Sequence, residues 1–269
     1  MLSLRFASLC ALCALFVAGC SKSPTAPTAA PAPVVIGTPF QGVAAAPPRL
    51  TITPPKAIGV TRFVAFGDSI TWGAQSAYDL RSIFAAAGGG YAERLQAGLN
   101  AYHGPQQFVV FNEGVPGEWA SDPRTLPRLR AAITNRQAQA VLLLEGINDL
   151  SSGVSVSRTV TALGQLVTAA TSMGVPVAIA TMYPTYVSVS PEGSVRTNGA
   201  SEVPAFNAQI RQLAVGRLNV RLVDLEGVMN NRSYVGNDGI HLNDAGFDVM
   251  ASQFLAVIEA AYPVRGSIQ

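Results

Sequence analysis

The sequence predicts an α/β fold: a three-layer α/β/α sandwich around a five-stranded parallel sheet. Between residues 57 and 262, short apolar runs of β-prone residues alternate about five times with helical patterns. That alternation marks strands running parallel with helices over both faces of the sheet. The run Ala140–Leu144 is continuously apolar, as a central strand buried on both sides must be. Finally, 49% of the 269 residues are hydrophobic and only 13% are charged, so a substantial core can be filled.

The elements follow in order. The first strand is expected near Arg62–Phe66 and is ended by Gly67. Residues 74–90 read as an irregular insertion, a flexible flap closing in three glycines. Ala92, Leu95, Leu99 and Tyr102 recur at helical spacing. Phe108–Phe111 is the second strand, running into a turn-rich loop over Asn112–Glu118. A short helix is expected from Leu126–Pro127, since proline is tolerated in a first turn. Ala140–Leu144 is the third strand; Val160, Leu163, Val167 and Ala170 form the next helical stripe, closed by Gly174. Pro176–Thr181 is the fourth strand, and residues 187–200 read as a polar surface loop. Val203, Phe206, Ile210 and Leu213 mark a helix, and Val220–Asp224 the fifth strand. Phe247, Met250, Phe254, Ile258 and Ala261 are the stripe of a final helix ending before Pro263.

The chain before this domain reads as an address. Arg5 precedes a short apolar run, Ala7–Ala18, and small residues follow. That is a secretory signal pattern over residues 1–19, too short to span a bilayer. The junction Val17-Ala18-Gly19-Cys20 resembles a bacterial lipoprotein signal. The resemblance implies lipidation of Cys20, and a multiply acylated cysteine would hold a stable membrane anchor in the cell envelope. Residues 20–56 are rich in Pro, Ala and Thr and read as a semi-extended tether. The domain is then residues 57–269, expected to work as a monomer.

Composition narrows the chemistry. A formal net charge of +2 gives no reason to expect a nucleic-acid partner. Cys10, Cys13 and Cys20 all precede the domain, and the histidines are His103 and His241. A cysteine or histidine metal centre in the domain is therefore not expected, nor is an organic cofactor. The strand ends carry no Gly-x-Gly-x-x-Gly and no phosphate loop, and Gly-x-Ser-x-Gly is absent.

Four strand-end loops carry polar groups that could meet at one sheet edge, where ligands of open α/β sheets bind. They are Gly67-Asp68-Ser69, the loop ending in Gly117, Gly146-Ile147-Asn148-Asp149, and Asp238-Gly239-Ile240-His241. A serine hydroxyl needs a base to take its proton. His241 stands in one of these loops, and imidazole exchanges protons near neutrality. Asp238, three residues earlier, can hold Nδ1 and fix the tautomer. His103 follows Tyr102 at a helix end, where it favours the helix dipole and bonds the last carbonyls.

In order and spacing the four blocks resemble the SGNH hydrolases, the GDSL-type esterases and lipases, over roughly residues 60–262. The four name-giving residues match Ser69, Gly117, Asn148 and His241, and Asp238 to His241 fits the family's Asp-x-x-His. The first block reads Gly-Asp-Ser-Ile instead of Gly-Asp-Ser-Leu. The resemblance implies flavodoxin-like strand order 2-1-3-4-5 and a serine esterase that forms an acyl-enzyme on Ser69. It implies an oxyanion hole made by the backbone N–H groups of Ser69 and Gly117 and the Asn148 amide, with Gly114 the competing glycine. Asp68 is expected to shape its loop and Asp149 to make a local hydrogen bond. Trp72, Trp119, Tyr183 and Tyr186 could line a substrate pocket; Glu113 and Glu118 could suit a polar substrate. The substrate could be an acyl lipid, an aryl or short-chain ester, or an O-acetylated glycan. An O-acyltransferase, or a non-catalytic envelope module that binds glycan, is the alternative on the same scaffold.

Overall fold

The computed structural model describes residues 57–76, 83–190 and 192–263. The signal pattern, Cys20 and the tether lie outside the described residues. Among the described residues no helix is long and apolar enough to cross a membrane.

The domain runs β1 (Arg62–Gly67), α1 (Ser69–Trp72), β2 (Ala74–Ser76), β3 (Ile83–Ala85), α2 (Tyr91–Tyr102), β4 (Val109–Gly114), α3 (Thr125–Arg136), β5 (Ala140–Leu144) and α4 (Ile147–Ser151). It continues α5 (Val156–Ser172), β6 (Val177–Ala180), β7 (Ser188–Val189), β8 (Val195–Arg196), α6 (Val203–Ala214), β9 (Val220–Val223), α7 (Leu225–Val228) and α8 (Asp244–Ala261). The central sheet has five strands, all parallel, in the order β4-β1-β5-β6-β9. Counted along the chain, that is 2-1-3-4-5. The chain steps from β1 to one side and then crosses back to lay β5 on the other. The crevice at this reversal is where such sheets place their ligands, and Ser69 sits directly past the end of β1.

The burial of each strand follows its composition. β5 is buried at every residue, and β1 at all but its first. The helices bury one stripe each. Tyr91, Ala92, Leu95 and Leu99 of α2 pack toward the core with Phe247, Met250, Phe254 and Ile258 of α8. Tyr91 stacks on Phe254 with ring centroids 4.9 Å apart, an offset aromatic pair worth about 1 kcal/mol beyond its burial. Proline 127 is the third residue of α3. Its missing N–H is one of the four that a helix start leaves without a partner anyway, so α3 runs on for twelve residues where a short helix was expected.

Three further expectations change. The insertion at 74–90 is not irregular throughout: β2 and β3 pair antiparallel, Ala74 with Ala85 and Ser76 with Ile83. Residues 187–200 hold a second hairpin, with Ser188 paired to Arg196. The second strand of the sheet begins at Val109 and runs through Asn112 and Glu113 to Gly114, because β1 offers parallel partners as far as Gly67. Gly114 ends this strand against the last turn of α1. A Cβ there would lie 2.1 Å from the Trp72 backbone nitrogen, so no other residue fits.

Candidate active site

Ser69, Asp238 and His241 come from opposite ends of the domain and meet at the sheet edge. Ser69 is the first residue of α1, capped by Asp68, whose Oδ1 accepts the Ile70 N–H at 2.9 Å. Its Oγ lies 2.9 Å from His241 Nε2. On the other side of the ring, His241 Nδ1 lies 2.5 Å from Asp238 Oδ2. Asp238 Oδ1 accepts the backbone N–H groups of Ile240 and His241 at 3.1 and 3.0 Å. These bonds fold the loop back on itself, so a carboxylate three residues from a histidine reaches its near nitrogen. With Nδ1–H donating to Asp238, Nε2 is left as an acceptor for the serine proton. All three side chains are buried yet border one cavity or its wall: Ser69 is 6% exposed and His241 8%.

The groups that could hold a developing oxyanion are set by a second network. The Ser69 N–H starts a helix and has no acceptor among the described residues. Gly114 donates its N–H to Asn112 Oδ1 at 3.1 Å and is therefore occupied. Gly117 sits at φ 78° inside the turn closed by Glu118 N–H to Val115 O, a conformation that favours glycine. Its N–H has no acceptor among the described residues. Asn148 donates through Nδ2 to Glu118 O at 2.9 Å and only loosely, at 3.4 Å, to Asp68 Oδ2. One amide hydrogen thus ties Asn148 to the Gly117 turn and the other stays weakly engaged. Gly117 itself lines a second cavity of about 320 Å³, with Glu118 and Arg128, rather than the one over Ser69.

Residues 65–249 match the GDSL-like Lipase/Acylhydrolase family. The chain belongs to that family. It is accordingly a hydrolase of ester bonds. No curated protein matches its sequence. Among solved structures it is similar to the native aryl esterase of M. smegmatis, with 19% identity, a TM-score of 0.65, and coverage of 75% of this chain and 99% of that one. It is also similar to Est24, a carbohydrate acetylesterase from Sinorhizobium meliloti, at 18% identity and a TM-score of 0.62 over 75% and 100% of the two chains. A third is the Clostridium thermocellum family 3 carbohydrate esterase, at 19% identity and a TM-score of 0.55 over 75% and 99%. These likenesses establish the shared fold.

In this GDSL-like hydrolase the cavity over Ser69 measures about 370 Å³. Ser69, Asn148 and His241 line it, together with Ser151 and Ile240. Its remaining wall is the end of the 188–196 hairpin: Val195, Arg196, Thr197 and Asn198. The aromatic residues expected here lie elsewhere. Tyr183 is fully buried, and its hydroxyl donates to the Ile240 carbonyl; it supports the histidine loop and does not line the cavity. Trp72 and Trp119 are each more than a third exposed but do not line the cavity. Tyr186 lies under the Arg232 guanidinium, 4.8 Å from its ring centroid.

Several supporting residues were not legible in the sequence. Arg128 binds Glu118 with two nitrogens, donates to Glu113 O at 2.7 Å, and stacks 3.8 Å from the Phe66 ring centroid. It thereby fixes the Gly117 turn to the end of β1. Asp149 was expected to bond locally; it accepts instead from Ala120 and Ser121 N–H, at 2.7 and 3.1 Å, and anchors the far end of the same loop. Glu113 and Glu118 pair with Arg136 and Arg128 and so are structural. Asn198 is buried at φ 52°; its amide donates to Asp238 O at 2.7 Å and Tyr186 O at 2.8 Å. His103 caps α2, but its Nε2 meets Glu259 Oε1 at 2.8 Å and not the helix carbonyls.

Two carboxylates sit beneath the site at an electrostatic cost. Burial, reinforced by neighbouring acids, pushes Glu145 well above the ordinary carboxylate range, and its Oε2 has no hydrogen-bond partner among the described residues. Burial also pushes Asp68 up to about 7, against the opposing pull of the Ile70 N–H and the His241 charge. Folding therefore favours protonated Asp68. Its contribution to stability is full below the unfolded value near 4 and is lost as pH rises through about 7. Asp68→Asn keeps an Oδ1 to cap Ile70 and removes the titration. Its melting temperature is expected to fall less between pH 6 and 9 than the native protein's, by several degrees. Parallel melting curves against pH would refute this.

Proposed function

We propose that this chain hydrolyses carboxylic esters of short acyl groups through an acyl-enzyme on Ser69. The observation that carries the reading is the unbroken line from Ser69 Oγ through the imidazole of His241 to Asp238 Oδ2. His241 takes the Ser69 proton as Oγ attacks the carbonyl carbon. The tetrahedral oxyanion is met by the Ser69 N–H and the Asn148 amide, which border this cavity, the kind of preorganised donors worth about 10²–10³ each in rate. Gly117, which borders the neighbouring cavity, is the third donor that the family resemblance implies. His241 then protonates the departing alcohol, and water deprotonated by the same imidazole releases the acid.

A short acyl group is favoured by the cavity, where Val195 and Ile240 are the apolar lining and the rest is polar. Among the described residues it offers no apolar trench for a long chain. The similar structures described as an aryl esterase and as carbohydrate esterases agree with this reading. For 4-nitrophenyl esters we expect kcat/KM to be at least about tenfold higher for acetate than for decanoate, because misfit of an acyl chain costs that much readily. A preference for decanoate would overturn the short-acyl assignment.

We also propose that the protein is exported and held to the envelope membrane through lipidated Cys20, with the domain acting as a monomer at the end of its tether. Cells given radiolabelled palmitate are expected to label the native chain and not Cys20→Ser. Equal labelling of both would sink the anchor.

A further inference from the structure

The cavity over Ser69 carries one full charge that ester hydrolysis does not use. Arg196, at the end of β8, lines this cavity together with Ser69, Asn148 and His241. Arg94, Arg124, Arg128, Arg136 and Arg211 are each paired with a carboxylate. The Arg196 side chain has no ion-pair or hydrogen-bond partner among the described residues. Arg130, Arg158 and Arg217 are also unpaired, but they border other faces of the domain. The other groups lining the cavity are hydroxyls, amides, the imidazole and two aliphatic side chains; none is a carboxylate. Among the described residues Arg196 is therefore the one full positive charge on the cavity's surface; the carboxylate of Asp238 lies behind His241 and is engaged with its Nδ1.

Arg196 is also held in place. Its backbone pairs with buried Ser188 across the hairpin. Two residues on, Asn198 clamps the hairpin to the catalytic loop through Asp238 O and Tyr186 O. Tyr186 N–H returns the contact to Gly239 O at 2.8 Å, and Thr185 Oγ1 donates to Asn198 O at 2.8 Å. Gly239 leaves just enough room for this: a Cβ there would lie 2.2 Å from Tyr186 O. The hairpin and the Asp238–His241 loop thus form one unit, so the Arg196 backbone keeps a fixed place relative to Ser69. A cation carried on a wall ordered in advance loses less entropy on binding than one on a free loop. A guanidinium also offers paired donors that match carboxylate or phosphate oxygens.

We propose that Arg196 binds an anionic oxygen group, a carboxylate or a phosphate, carried by the alcohol portion of the ester beside the scissile bond. This rests on the short-acyl esterase reading above: an acyl group as small as acetyl has no room for the anion, so the alcohol carries it. The natural substrate is then an acyl ester of an acidic molecule and not of a neutral one.

Three aryl acetates of similar size test this on the intact protein: neutral 4-acetoxybenzamide, 4-acetoxybenzoate and 4-acetoxyphenyl phosphate. At low ionic strength kcat/KM is expected to be about tenfold higher for at least one anionic ester than for the amide, the scale of a charged hydrogen bond. Which anionic ester is preferred separates carboxylate from phosphate. That ratio is expected to collapse toward one in Arg196→Ala, to survive in part in Arg196→Lys, and to shrink as added salt screens the charge. A native ratio near one, or a ratio unchanged in Arg196→Ala, overturns the proposal while leaving the esterase reading intact. Failure to hydrolyse any of the three overturns both.

Discussion

Ser69→Ala is expected to lower kcat by about 10⁶-fold, to the level set by the oxyanion donors and substrate binding alone. The hydroxyl is the sole atom removed. Alanine is a good first-turn residue, and Asp68 still caps Ile70, so the melting temperature should move little. KM should also change little, because Ser69 Oγ makes its decisive bond in the transition state. His241→Ala is expected to cost about as much, and the double variant no more than either single one, since nucleophile and base act as a unit. A fluorophosphonate should label Ser69 in the native protein and fail to do so in His241→Ala. The measurement is kcat on 4-nitrophenyl acetate, corrected for spontaneous hydrolysis. If Ser69→Ala kept more than about 1% of native kcat, far above the residual rate of a triad lacking its nucleophile, Ser69 would not be the nucleophile.

How much of this was legible in the sequence depended on the range of the interactions involved. Patterns that reside within one element could be read directly. The continuous apolar run of β5 matches its full burial, and the stripe Phe247, Met250, Phe254 and Ile258 is the buried face of α8. The family blocks located the ester-hydrolysing domain, because each block sits next to a strand end whose composition is distinctive. What failed was whatever depends on a partner far along the chain. The extension of β4 to Gly114 is imposed by β1. The role of Asp149 is decided by two N–H groups 28 and 29 residues away. Tyr183 follows a strand end as a substrate aromatic would, yet the Ile240 carbonyl claims its hydroxyl. The hairpin wall was the largest omission. Residues 187–200 look polar and loop-like, and Asn198 carries no local mark of being the clamp between that wall and Asp238.

Asp238→Asn is expected to lower kcat by about 10⁴-fold while leaving the fold and KM nearly unchanged. The reason is the tautomer. In the native site Asp238 Oδ2 accepts from Nδ1–H, which leaves Nε2 free to take the Ser69 proton. Asparagine can retain Oδ1 for the N–H groups of Ile240 and His241, so the loop should hold its shape. Its amide nitrogen then faces Nδ1 as a donor. The imidazole must accept there, its proton moves to Nε2, and the base toward Ser69 is lost. The electrostatics agree with an ionised Asp238. Burial alone would raise its pKa, but the hydrogen bond and charge of His241, with the two backbone N–H groups, outweigh burial and hold it below the ordinary value. A depressed carboxylate stabilises the fold above the unfolded value near 4, and that stability is lost as pH falls through the folded one. Asp238→Asn should therefore narrow its deficit in melting temperature relative to native as pH drops below about 4. A kcat loss of less than about tenfold would mean that Asp238 does not orient the base, given how large a wrong tautomer's cost is. Attention would then pass to Asp68, the other carboxylate whose charge acts on His241.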